Sequence, residues 1–261
     1  MTANLQTIMD RVRNKDYAVQ NEAKKAGGSA VAGLSGLLRD PDEEVRQLAV
    51  YCLSATGDTS AAGALSSAIF DSDPQVAMAA AKGLMDVATP ADAPTLKKAL
   101  GAQPDGLVRR QIALVLGRIA SPADLPELKK QWEGELDGSA KQGLTAALSK
   151  MGDRDAQDAF KKALAGAIGV SRLPYLELAE YISQPWLLKP LKGVLSDRHD
   201  VVRIAVDGID DMPQALRTCD LGVVLIAAIG GGRWSFQVLR NKNFTTQQLD
   251  EVAQWVDTHA P

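Results

Sequence analysis

The stretch TLKKALGA at residues 95–102 returns as ELKKQWEG at 127–134 and AFKKALAG at 159–166. Paired lysines after an apolar residue could hold an anion, or they could be the solvated side of a repeated helix. Stacking the segments on the residue before the lysines decides between the two. GLSGLLRD, ALSSAIFD and PLKGVLSD fall into the same register, which puts Leu34, Leu65, Leu96, Leu128, Phe160 and Leu191 in one column at spacings of 31 or 32 residues. Leu221, opening LGVVL 30 residues after Leu191, reads as a seventh member. Self-similarity with a period between about 20 and 50 residues marks stacked supersecondary units, each unable to bury its own apolar face. The lysine pairs Lys97/Lys98, Lys129/Lys130 and Lys161/Lys162 are therefore expected on the outer, solvated side of the first helix of each unit.

A second column tests the register independently. Val45, Val76, Val108 and Ala140 are each followed at four-residue steps by apolar residues: Ala49/Leu53, Ala80/Leu84, Ile112/Leu116 and Leu144/Leu148. That spacing marks one helical face, so each unit holds two helices. DPDEE, DSDPQ, AQPDG and GELDGS lie between them as Asp-, Pro- and Gly-rich turns whose Asp or Ser can cap the second helix. TGDTSA, TPADA, SPADL and GDRDA end the units. With no strand signal noted, the expected fold is all-α: an α-solenoid of stacked antiparallel helix pairs, about seven or eight of them, forming a single domain over residues 1–261. Residues 1–32 read as N-terminal capping helices, 33–212 as the repeats and 213–261 as a divergent C-terminal capping repeat, since end units need a polar outer face. Thr245 and Thr246 can cap the last helix, which turns Leu249, Val252 and Val256 inward. GGGRW at 230–234 lacks the lysine and hydroxyl of a phosphate loop and reads as a helix stop.

The totals exclude several function classes. A formal net charge of −3 provides no global positive field for nucleic acid or an anionic membrane. Cys52 and Cys219 have neither disulfide nor zinc-ligand spacing, and His199 and His259 are the only histidines. No base is placed in the sequence to hold Cys219 as a thiolate. The N-terminus has no apolar signal core, and the longest apolar run, residues 221–229, is too short to span a bilayer. These features lead us to expect a cytoplasmic protein that needs no cofactor.

The runs LLRDPDEEVRQLAVYCLSATGD and LSDRHDVVRIAV, with an Asp-rich turn and Val-Arg opening the second helix, resemble the short HEAT-like repeats first associated with phycobilisome lyases. The resemblance covers roughly residues 33–210. It implies a ladder between neighbouring units made by Arg46, Arg109 and Arg203, with Asp40 or Asp42, Asp105, and Asp197 or Asp200 as the acidic members. Ala77 replaces the arginine in one unit, so the ladder should be interrupted there. The resemblance also implies two rival activities: a tetrapyrrole (bilin) lyase or its partner subunit, and, from HEAT-like DNA glycosylases, nucleic-acid binding. The second is disfavoured by charge, because such binding depends on phosphate neutralisation.

In a two-helix solenoid the second helices line the concave surface. The expected exposed stripe runs through Gln47, Tyr51 and Ser54, then Met78, Lys82 and Met85, then Arg110, Leu114 and Gly117, then Gln142, Ala146 and Ser149. Beyond it, VSRLPYLELAEYISQPW breaks the apolar column and brings Leu173, Glu177 and Glu180 into the stripe beside Tyr175, Tyr181 and Trp186. Asp207, Asp210 and Asp211 follow. Seven of the 12 aromatic residues lie in the last 91 positions. The expected function is a non-catalytic scaffold or adaptor, whose acidic and aromatic end receives a basic, partly apolar segment of a partner protein.

Overall fold

A computed structural model of the chain describes residues 5–203 and 215–261. It shows an all-α repeat fold with one short β-ribbon, arranged as two compact units, Met1–Met151 and Gly152–Pro261. The first unit opens with α1 (Leu5–Arg13) and α2 (Gln20–Ala26). Four helix pairs follow: α3 (Val31–Leu37) with α4 (Glu43–Ala55), α5 (Ala62–Ala68) with α6 (Pro74–Val87), α7 (Ala93–Ala102) with α8 (Gly106–Ile119), and α9 (Leu125–Gly134) with α10 (Gly138–Met151). The second helices pack in series, α4 on α6, α6 on α8 and α8 on α10, and each first helix packs on its own second helix.

Burial follows the two sequence columns. Leu34, Leu65, Leu96, Leu128, Phe160 and Leu191 are all buried, as are Val45, Val76, Val108 and Ala140 with their four-residue followers. The turns between paired helices repeat one device. Asp40, Asp71, Gln103 and Glu135 each accept the backbone N–H two residues on, at 2.9–3.0 Å. The residue donating that bond then caps the helix with its side chain: Asp42, Asp73 and Asp105 each accept a first-turn N–H. These carboxylates satisfy donors that a helix start leaves orphaned. The Pro-containing returns TPADA and SPADL form single 3-10 turns in which the Asp92 and Asp124 carboxylates accept the N–H groups of Thr89 and Ser121.

The second unit holds α11 (Arg154–Gly166), α12 (Leu173–Ile182) and α13 (Leu188–Val194), then strands β1 (Asp200–Arg203) and β2 (Ala215–Arg217), then α14 (Thr218–Gly230) and α15 (Thr246–His259). The strands pair antiparallel, Val202 opposite Leu216 and Arg203 opposite Ala215. This corrects two expectations from the sequence. Val201, Val202 and Arg203 form a strand and do not open a second helix. The helix that packs on α13 is α14, beginning at Thr218. Leu221 accordingly leaves the first-helix column and is only half-buried, on a helix that packs against α12, α13 and α15. The ribbon is fastened from its carbonyl side, with the N–H groups of Thr218 and Cys219 donating to His199 O at 3.0 Å and Asp197 O at 2.9 Å. Buried Asp220 takes both arms of Arg217, at 2.8 and 2.9 Å, together with the Phe244 N–H. Gly231 ends α14 in the left-handed region at φ +63°, a conformation that glycine adopts without strain. Thr245 caps α15, whose Leu249, Val252 and Val256 are buried.

Candidate functional site

The lysine pairs divide their work. Lys98, Lys130 and Lys162 are exposed, while their N-terminal neighbours lie half-buried against adjacent groups. Lys97 reaches into the next pair, 2.6 Å from both Asp124 and Glu127, and its hydrogen bond holds the Asp124 carboxyl at about 2. Lys161 bonds Asp158 and lies over the Trp186 ring.

The stripe expected along the second helices is only partly open. Tyr51 is half-buried on α4, Lys82 is exposed on α6 and Arg110 is half-buried on α8. Leu114, Gly117, Ala146 and Ser149 are buried, contrary to expectation. The cause is the close approach of α8 and α10. A Cβ on Gly143 would lie 2.6 Å from Arg110 O and 2.7 Å from Arg110 Cα, so only glycine permits this contact. The approach closes the groove over the positions that were expected to face solvent.

The arginines of the repeat do form rungs. Arg46 grips Asp71 of the next pair with Nε at 2.8 Å and Nη2 at 2.9 Å. Arg109 grips Glu135 in the same way, both bonds at 2.9 Å. The acceptors differ from those expected: Asp40, Asp42 and Asp105 bond backbone N–H groups at the turns. No arginine stands at Ala77. In the second unit the corresponding pair is Arg172 with Asp197, 2.7 Å apart and both buried. Asp197 also accepts the Gly169 N–H and contacts His199. The rung assigned to Arg203 thus corresponds to Arg172, with Arg203 in β1. The sequence reading missed Arg172, although it stands 31 residues after Lys141 in the arginine column.

Three residues singled out in the second unit do converge. Leu173, Glu177 and Glu180 line one cavity of about 290 Å³, together with Leu176, Val202, Leu221, Val224, Leu225 and Arg240. Its walls are aliphatic. They come from α12, from the all-round apolar helix α14 and from the ribbon. Glu177 and Glu180 are exposed on successive turns of α12. Arg240 donates to Glu180 at 2.6 Å, and Glu177 makes no ion pair among the described residues. Tyr181 is half-buried at the end of α12 and does not line the cavity. The aromatic residues expected at this site are engaged elsewhere. Tyr175 and Trp186 meet the buried Phe160 edge to face, with centroids 6.2 and 6.1 Å away. Trp234, Phe236, Phe244 and Trp255 form a second cluster with the His259 ring stacked on Trp255. Asp207, Asp210 and Asp211 lie outside the described residues.

Both cysteines are buried. Burial pushes the Cys52 thiol up to about 12 and raises Cys219 as well, where the neighbouring Asp220 adds to the effect. Thiols so placed are poor nucleophiles. Among the described residues no group of His, Cys, Asp and Glu side chains could hold a metal ion, and no helix is long and apolar enough to cross a membrane.

The class of the fold follows from these features and from comparison. Residues 31–117, which run from α3 into α8, match the family model of HEAT repeats. Among solved structures the chain is similar to one from the complex of CpcE and CpcF of phycocyanin lyase from Nostoc sp. PCC7120, with TM-score 0.58 and 16% identity over 99% of this chain and 95% of that one. Human deoxyhypusine hydroxylase in complex with glycerol gives TM-score 0.39 and 15% identity over 98% and 95% of the two chains. At 16% identity the likeness to the phycocyanin lyase structure concerns the fold alone. No curated protein sequence matches the chain.

Proposed function

We propose that the protein is a binding scaffold whose second unit receives a basic, partly apolar segment of another protein in the pocket between α12, α14 and the ribbon. One observation carries this reading: an aliphatic floor beneath two exposed carboxylates, one of which already holds a guanidinium from the same chain. An apolar side chain seated on Leu173, Leu221 and Val224 would supply most of the affinity, on the order of 2 kcal/mol for a fully desolvated anchor. Exposed carboxylates add little to affinity, and they select a positively charged segment and speed its encounter. Arg240 shows the geometry that a partner cation would adopt, and it competes for Glu180.

Affinity capture from the source cell tests the reading. Glu177→Lys/Glu180→Lys should lose a protein that the wild type retains, and Arg240→Ala should retain at least threefold more of it. Identical proteins captured by all three would sink the proposal.

A second reading rests on the likeness over nearly the whole length of both chains to a subunit structure of a phycocyanin lyase complex. On that reading the protein is a tetrapyrrole lyase-like protein or the partner subunit of one, and the bound protein is its companion. A coloured tetrapyrrole eluting with the captured protein would favour this reading over a plain adaptor.

A further inference from the structure

Arg46 and Arg109 share one pattern of bonds. Besides gripping the next turn's carboxylate, each donates from Nη1 to two carbonyls of its own turn, six and five residues earlier: Asp40 and Pro41 for Arg46, Gln103 and Pro104 for Arg109. On α6 the equivalent position is Ala77, the equivalent carbonyls belong to Asp71 and Ser72, and the facing turn residue is Gln103. Gln103 is buried and neutral. Its Nε2 donates to Ile69 O at 2.5 Å and its Oε1 accepts from the Asp105 N–H at 3.0 Å.

The path of the missing arginine is open. A cavity of about 270 Å³ runs between Ala77, Asp71, Ser72, Gln103 and Pro104, bordered by the half-exposed ring of Phe70. No basic residue lines it. Of its two lining carboxylates, Asp71 is already held by Arg46. Asp105 makes no ion pair among the described residues, whereas its repeat equivalent Asp42 is held by Lys15 at 2.7 Å.

We propose that this slot receives the arginine side chain of a partner protein, completing in trans the rung that the chain omits in cis. A guanidinium fits for the reasons that Arg46 and Arg109 fit. Its planar fork of five donors can reach carbonyls on one turn and Gln103 Oε1 on the next at the same time, and its face can stack on Phe70. Lysine, with a single ammonium, cannot span both. The Asp105 carboxylate favours the cation, and Phe70 gives the segment an apolar rest. The slot lies wholly in the first unit and does not depend on the pocket of the second.

N-acetyl-arginine amide titrated into the labelled full-length protein provides the test, with backbone and glutamine side-chain amides followed by NMR. Saturable shifts are expected at Phe70, Gln103 and Asp105, absent with the neutral isostere N-acetyl-citrulline amide. Ala77→Arg, which fills the slot from within, should weaken the interaction at least tenfold. Dispersion of its spectrum reports whether that variant folds. Should it not fold, Phe70→Ala carries the test, with at least threefold weaker binding expected. The proposal is overturned by a lack of saturable shifts in the wild type, by equal shifts with citrulline, or by unchanged binding in a folded variant.

Discussion

Asp71 and Glu135 are carboxylates held by arginines from the preceding helix pair, and the balance of forces on them sets a pH dependence. Burial pushes Asp71 up, but Arg46 and the Asp73 N–H outweigh it and the carboxyl lies below its ordinary 3.8. Arg109 holds Glu135 below its ordinary 4.5. A carboxylate depressed in the folded state stabilises it fully above the unfolded value and loses that contribution as pH falls through the folded one. The urea midpoint should therefore stay level from pH 7 to about 5 and fall below about pH 4. Arg46→Ala, which strands Asp71 in a largely buried position, should cost about 2 kcal/mol at pH 7 with an unchanged urea slope. An Arg46→Ala/Arg109→Ala variant should show a shallower acid decline than the wild type; an equally steep decline would assign the acid sensitivity to other groups. Arg46 and Arg109 were legible because each follows a column valine. Arg172 was not, because Ser171 precedes it and LPY interrupts the apolar column, so that only the 31-residue spacing from Lys141 marks it.

The helix pairs were readable because two apolar columns repeat on the same period, and burial alone enforces such a pattern. What escaped the sequence reading depended on pairwise geometry. Gly143 occupies an ordinary helical position in GSAKQGLTAALSK, and nothing in that string announces that Arg110 backbone lies against it. Gly143→Ala should therefore cost about 2 kcal/mol by forcing α8 and α10 apart, read as a lowered thermal midpoint. An unchanged midpoint would mean that the two helices separate freely. The ribbon was misread for a different reason. DVVR stands where the period calls for a second helix, and its paired valines suit a strand equally well. The true second helix, α14, is apolar around most of its circumference because it meets α12, α13 and α15. That same character gives the pocket its floor, so Glu177 and Glu180 were legible from charge while Val224 and Arg240 were not.

At the scale of the molecule, the proposal that residues 1–261 form one continuous array has its own test. Stacked repeats share their stability through neighbour contacts and tend to unfold together. Trp132 is the one tryptophan of residues 1–151. Its fluorescence, in a variant with the other three tryptophans replaced by phenylalanine, should share a urea midpoint with the far-ultraviolet circular dichroism of the whole chain. Separate midpoints would make Met1–Met151 and Gly152–Pro261 independent domains.

The absent arginine at Ala77 has a mechanical side. Across the joint from α4 to α6, a bending force meets the paired hydrogen bonds of Arg46 and Asp71 as well as apolar packing. At the next joint, from α6 to α8, it meets packing, the Gln103 amide and a single bond from Arg118 to Ala88 O, with no two-pronged ionic clamp among the described residues. Packing yields gradually to a tilt, whereas a two-pronged ionic clamp resists it in two directions at once. These two joints of the first unit thus act as spring coils of unequal stiffness, the softer one beside the slot that a partner's side chain would fill.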